Sequence, residues 1–229
     1  MSYPIHERFY SFQGEGVHAG RAAFFIRTYG CPVRCPWCDS AGTWHAKHKP
    51  PVLLRMTATE LAVEALAVNA EFVVVTGGEP AIHDLTPLVT AVHELAGLPV
   101  HLETSGAFDT DAPFDWITLS PKREALPLLS MLNRANELKF IVDSEHAVIE
   151  WLNTIAEAGL LKWPTVWLHP EWSHRDDPVV LAEIVEAVKR SHEPRLRAGW
   201  QLHKLFRADA LDRRSAKPVP LGGDAAKGL

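Results

Sequence analysis

Cysteine is scarce in this chain of 229 residues: there are three, and all fall between positions 31 and 38. Three thiols so close together cannot build a disulfide framework, which excludes the stapled folds of small secreted proteins and points to metal or redox chemistry in a reducing compartment. A basic excess is also missing. The formal net charge is −5, without the concentrated cationic face that phosphate neutralisation needs, so no nucleic-acid partner is expected. No apolar run approaches the roughly 18 residues of a membrane span, and the opening MSYPIHERFY lacks the basic start and apolar core of a secretory signal. The expectation is a cytoplasmic protein with no membrane segment, acting on a small molecule.

What is present suits one folded unit, with 47% hydrophobic and 22% charged residues. Short apolar runs at 22–28, 72–76, 100–103, 116–120, 137–142 and 165–169 read as six buried strands, several rich in Val, Ile, Phe or Trp. Between them, 57–69, 85–96, 144–158 and 178–191 carry apolar residues at helical spacing, with Thr57, Asp84 and Asp143 as caps. This alternation predicts a single α/β domain with a mainly parallel sheet, either doubly wound or a partial barrel. Residues 44–55 read as a loop, and 207–229, rich in Arg, Pro and Gly, as an irregular tail after a core domain spanning 1–206.

Cys31, Cys35 and Cys38 follow a CxxxCxxC spacing in a loop that Gly30, Pro32 and Pro36 help to bend. Thiolates are good iron-sulfur ligands, and three of them leave one iron of a four-iron cluster open to a substrate or cofactor. The alternative is a zinc site completed by His45 or His48. Thr76-Gly77-Gly78-Glu79-Pro80 follows an apolar strand, where a parallel sheet places its ligands; the glycines admit a close backbone approach, and Glu79 suits an ammonium.

Trp37 immediately before the third cysteine, together with the Gly-Gly-Glu-Pro run, resembles the radical S-adenosylmethionine (SAM) pattern. Phe12-Gln13-Gly14-Glu15-Gly16, Cys38-Asp39-Ser40, Glu103-Thr104-Ser105-Gly106, Ser120-Pro121-Lys122 and Gln201-Leu202-His203-Lys204 narrow the likeness, in order, to the 7-carboxy-7-deazaguanine synthase family. The resemblance implies a partial (β/α)6 barrel of the radical SAM type. It also implies a homodimeric lyase that converts 6-carboxy-5,6,7,8-tetrahydropterin to 7-carboxy-7-deazaguanine with release of ammonia, on the route to queuosine. The cofactors implied are a 4Fe-4S cluster on the three cysteines, SAM and Mg2+, with flavodoxin or ferredoxin as electron donor.

The same resemblance assigns Trp37, Cys38, Asp39, Gly78, Glu79, Thr104, Ser105, Ser120, Pro121, Lys122 and His169 to SAM. Phe12, Gln13, Gly14, Glu15, Arg27, Thr76, Gln201 and His203 go to the substrate, Arg27 gripping its carboxylate, and Ser40 goes to magnesium. Arg27 and Ser40 are the expected catalytic pair. The chain departs from the family at His169-Pro170 and at Leu202, and runs past the point where some members end beside the substrate. Competing readings are a glycyl radical activating enzyme, disfavoured by the segments at 12–16 and 38–40, and a zinc-stabilised module without catalysis.

Overall fold

A computed structural model describes residues 1–192, 194–217 and 219. The part of the expected tail at 218 and 220–229 lies outside the described residues. The chain forms one nine-stranded sheet in the order β3-β1-β2-β4-β5-β6-β7-β8-β9. The six expected strands are there as β2 (Ala22–Thr28), β4 (Phe72–Gly77), β5 (Val100–Thr104), β6 (Trp116–Leu119), β7 (Glu137–Val142) and β8 (Thr165–Pro170). From β2 through β9 (Leu196–Ala198) every neighbouring pair is parallel.

The expectation of six strands falls short by three. β1 (Ser2–Phe12) mixes charged and aromatic residues, β3 (Leu54–Thr57) is a mostly exposed edge, and β9 is only three residues long. None presents the buried apolar run by which a central parallel strand is recognised. β1 runs antiparallel to both β2 and β3, so the parallel array carries an antiparallel edge.

Side-chain alternation sets two layers. In β2, Phe24 and Ile26 join the large core beneath the helices, whereas Ala23 and Phe25 face the concave side with Phe9, Phe72 and Val74. The helices α1 (Ala58–Leu66), α2 (Thr86–Ala91), α3 (Leu129–Arg134), α4 (Ala147–Glu157) and α5 (Pro178–Arg190) supply the outer layer through such residues as Leu61, Leu88, Leu132, Trp151 and Ile184. Thr57 caps α1 in a reciprocal capping box with Glu60. Asp84 accepts the Thr86 N–H, as expected of a cap. Asp143 does not cap α4: the position before that helix is His146, in the left-handed conformation at φ 73°, and Asp143 accepts from Ser144 Oγ instead. The short α3 lacked a long enough periodic stretch to be foreseen, and 92–96 continues α2 as a π-type turn that Gly97 ends at φ 65°.

The concave face is plugged by the segment after β1. Val17 N–H, Thr118 Oγ1 and Trp167 Nε1 all donate to Glu137, at 3.0, 2.8 and 2.7 Å, joining the entry loop to β6, β7 and β8. Gly16 adopts φ 69°, and a side chain there would run into the Glu137 carboxylate. Contacts across the concavity give the curvature of a partial barrel, whose open mouth lies at the carboxyl ends of the parallel strands.

Candidate active site

At that mouth lies a cavity of about 290 Å³. Cys31, Cys35 and Cys38 all line it as free thiols. Burial pushes all three thiols up, Cys35 to about 12, so thiolates here need a bound cation to offset desolvation. Trp44 Nε1 donates to Cys38 Sγ at 3.4 Å, and Ser40 Oγ lies 3.8 Å from the same sulfur. Such contacts favour a charged sulfur and tune a cluster held on it. A Cβ on Gly78 would collide with Gly30 O and Cys31 Cβ, so the glycine run packs directly against the cysteine turn. The donor set and this close packing fit a cluster held by three thiolates. His45 and His48, the alternative zinc ligands, pair with each other at 5.1 Å between ring centroids, and neither lines the cavity.

One wall is made by the loops after β4, β5 and β6. Glu79 is 1% exposed. Its Oε1 accepts from Thr104 Oγ1 at 2.7 Å and Ala81 N–H at 3.1 Å, and its Oε2 accepts from Ser105 N–H at 2.8 Å and Ser105 Oγ at 2.5 Å. A carboxylate offers about four acceptor positions, and all are used within the protein. Glu79 therefore fixes Thr104 and Ser105, and it lines the cavity beside them. Lys122 donates to Ser120 O and Oγ and lies 5.5 Å over the Trp37 ring. Burial lowers its pKa, so it is no solvated surface lysine.

The opposite wall joins β1, β2, β7 and the chain after β9. Lys139 Nζ donates to Glu15 Oε2 at 2.5 Å and Glu103 Oε2 at 2.9 Å. Burial opposes that ammonium, but the Glu103 and Glu15 carboxylates keep it charged and raise its pKa. Burial pushes Glu103 up and opposes the Glu15 carboxylate too, but the surrounding cationic groups together, Lys139 first among them, hold Glu15 well below its usual range. Gln13 Nε2 donates to Glu103 and Gln201 Nε2 to Glu15, at 3.1 and 2.7 Å. Lys204 Nζ bridges Gln201 Oε1 and Asp39 Oδ2, each at 2.8 Å. Arg27 Nε donates to Glu7 Oε1 at 2.5 Å.

Most of the expected residues share this cavity: Gln13, Glu15, Arg27, Trp37, Asp39, Ser40, Thr76, Gly78, Thr104, Ser105, Ser120, Lys122, Gln201 and His203 line it with the cysteines. Ser40 Oγ makes no capping bond to the turn that follows. Four expected contacts are not brought to the lining. Phe12 packs edge-on against Phe206, Gly14 gives room to the His203 ring and accepts from Leu202 N–H, and Pro121 only carries the chain onward. His169 is wholly buried against Gly199, with its pKa lowered to about 4 by burial.

Glu7, Glu103, Lys139, Lys204 and residues 215–217 and 219 were missed as cavity residues. The one signal for Glu103 and Lys139 was a charged residue inside an apolar strand, which a parallel sheet buries. The tail carried no signal, because its place depends on the sheet's curvature.

The radical SAM superfamily profile matches residues 25–176. The chain is 48% identical over 172 residues to the 7-carboxy-7-deazaguanine synthase of Synechocystis sp., covering 75% of this chain and 79% of the relative. It is 39% identical to the enzyme of the same name from Flavobacterium psychrophilum, covering 88% and 90%. The crystal structure of QueE from Escherichia coli superposes with a TM-score of 0.75 at 32% identity, covering 89% of this chain and 95% of that one.

Proposed function

We infer the chemistry of the cavity from the family to which the chain belongs: it is a radical SAM enzyme of the 7-carboxy-7-deazaguanine synthase family. Its reaction is the ring contraction of 6-carboxy-5,6,7,8-tetrahydropterin to 7-carboxy-7-deazaguanine with release of ammonia, in queuosine biosynthesis. The observation that carries the reading is one cavity lined by three cysteines, a glycine cradle and a wall of paired charges. When bound, the cluster and SAM together supply a carbon radical able to abstract hydrogen from the carbon that bears the substrate carboxylate.

The rest is the work of this chain's own residues. Trp37, Asp39, Gly78, Thr104, Ser105, Ser120 and Lys122 hold SAM beside the cysteines, Lys122 supplying a cation and Gly78 its backbone. Arg27 grips the substrate carboxylate. Gln13, Glu15, Thr76, Gln201 and His203 hold the heterocycle, with Glu15 facing the guanidine-like edge that a carboxylate can match with two hydrogen bonds. Ser40 would offer magnesium a hydroxyl oxygen, the kind of donor that hard cation takes, and the ion would supply positive charge to steady the substrate. The apolar lining residues Phe9, Phe25 and Ile141 help to exclude water and stray hydrogen donors.

The working protein is a homodimer reduced by a flavodoxin or ferredoxin in the cytoplasm. The exposed cations Arg34, Lys47 and Lys49 near the cysteine loop suit an acidic donor. Among the described residues no helix is long and apolar enough to cross a membrane.

The test is anaerobic incubation of the reconstituted protein with 6-carboxytetrahydropterin, SAM, magnesium and a reductant. The deazaguanine chromophore should form while SAM is regenerated, and Ser40→Ala should lose the magnesium dependence. Consumption of SAM without that product would refute the reading.

A further inference from the structure

Glu7 has no part in the scheme above, yet it is a carboxylate only 7% exposed that reaches the cavity. A register shift brings it there. Ile5 pairs with Thr28 and Glu7 with Arg27, so His6 is an extra residue in β1. An extra residue turns the following side chains to the other face of the sheet. Tyr3 and Ile5 accordingly join the core under the helices, whereas Phe9 lies in the concave cluster and Glu7 in the cavity.

The carboxylate joins two distant parts of the chain. Oε1 accepts from Arg27 Nε, and Oε2 accepts from Ala216 N–H at 2.5 Å and Ser215 Oγ at 3.2 Å. The segment that supplies these donors is anchored on both sides. Upstream, Asp212 Oδ2 accepts from Tyr10 N–H at 2.9 Å and pairs with Arg214 at 2.6 Å. Downstream, Val219 O accepts from Ala41 N–H at 3.1 Å, and Val219 forms a parallel bridge with Ser40. Ser215, Ala216, Lys217 and Val219 then line the cavity.

We propose that Glu7 is a positioning residue that couples residues 212–217 and 219 to Arg27, making these residues a wall of the substrate pocket that also braces Ser40. The inference rests on the assignment of Arg27 and Ser40 to substrate and magnesium. A guanidinium held at Nε has its plane fixed, so less freedom is lost when it grips a carboxylate. Ala216 N–H and Ser215 Oγ fix the Glu7 carboxylate in turn, and a buried acceptor stripped of such donors is costly and reorients.

The holoenzyme, reconstituted anaerobically, tests this in three forms: Ala216→Pro, which removes the N–H that Glu7 accepts; a chain ending at Arg214; and Glu7→Ala. Each should raise the substrate KM about tenfold or more. The combination of Glu7→Ala with Ala216→Pro should do little more than Glu7→Ala alone, because both break one contact. Ala216→Pro and the shortened chain should keep substrate-independent SAM cleavage within about twofold of the parent, a split that a general folding defect does not produce. An unchanged substrate KM in those two forms would overturn the coupling, as would equal loss of SAM cleavage and turnover. Arg27→Ala separates the proposal from the reading beneath it. If Arg27→Ala leaves the substrate KM unchanged, the assignment of Arg27 falls; if it raises KM while Ala216→Pro does not, the coupling alone falls.

Discussion

Hydrogen bonds that build the wall assigned to SAM join residues 2 to 26 positions apart, from Ala81 and Glu79 to Ser105 and Glu79. Across the cavity, the wall assigned to substrate has short-range bonds too, such as Arg27 to Glu7, but it is closed by bonds that span 90 to 209 positions, from Gln13 and Glu103 to Ala216 and Glu7. The first wall is a set of consecutive strand ends, each carrying its own short motif. The second exists only once the sheet has curved and the chain has returned. Local motifs therefore secure the shared cofactor chemistry, while the substrate side depends on tertiary closure, where members of a fold can differ.

The largest effect should come from the floor that both walls share. Cys35→Ala removes one of three ligands, and iron analysis after anaerobic reconstitution should fall from about four per chain to near zero, with loss of all SAM cleavage. Next, Lys139→Met should strike the long-range wall alone. It strands the Glu15 and Glu103 carboxylates, and breaking a buried ion network costs about 3–5 kcal/mol of unfolding free energy, readable as a lower urea midpoint.

A further effect is read as pH dependence of stability. His169, beside Glu15 and Lys139, and His101, at the far end of the strands, both have their pKa lowered to about 4 by burial, from 6.5. Below pH 6.5 the unfolded chain binds protons that these buried rings refuse, so stability should decline as pH falls towards 4 and level off beneath it. The slope is at most about 1.4 kcal/mol per pH unit for each ring. Urea midpoints measured between pH 7 and 4.5 should show the decline, and His169→Gln should make it shallower.

The same contrast explains what could be read from the chain before it folded. Gly78, Ser105, Ser120 and the three cysteines stand at the ends of apolar runs, so strand position and chemistry coincide and their convergence was legible. Phe12 and Gly14 belong to a motif beside the site, and only the packing of Phe206 and His203 shows that these two support it. Glu79 was recognised as important, but its role depended on counting acceptors already filled by Thr104, Ser105 and Ala81. The bulge at His6 leaves no mark in the hydrophobic pattern, since Tyr3, Ile5, Glu7 and Phe9 are all buried at alternate positions. Glu7 was hidden for that reason, and the tail because its place depends on the sheet's curvature.

The division of labour between the walls is the central claim, and one paired measurement tests it most directly: SAM cleavage without substrate, set against product formation with it, in Glu79→Ala and Arg27→Ala. Glu79→Ala leaves the Thr104 and Ser105 donors misplaced and should depress both activities together, by about 10- to 100-fold. Arg27→Ala should depress product formation by a comparable factor, through substrate KM, while SAM cleavage without substrate stays within about twofold. Parallel loss of both activities in Arg27→Ala, or loss of product formation alone in Glu79→Ala, would contradict the account.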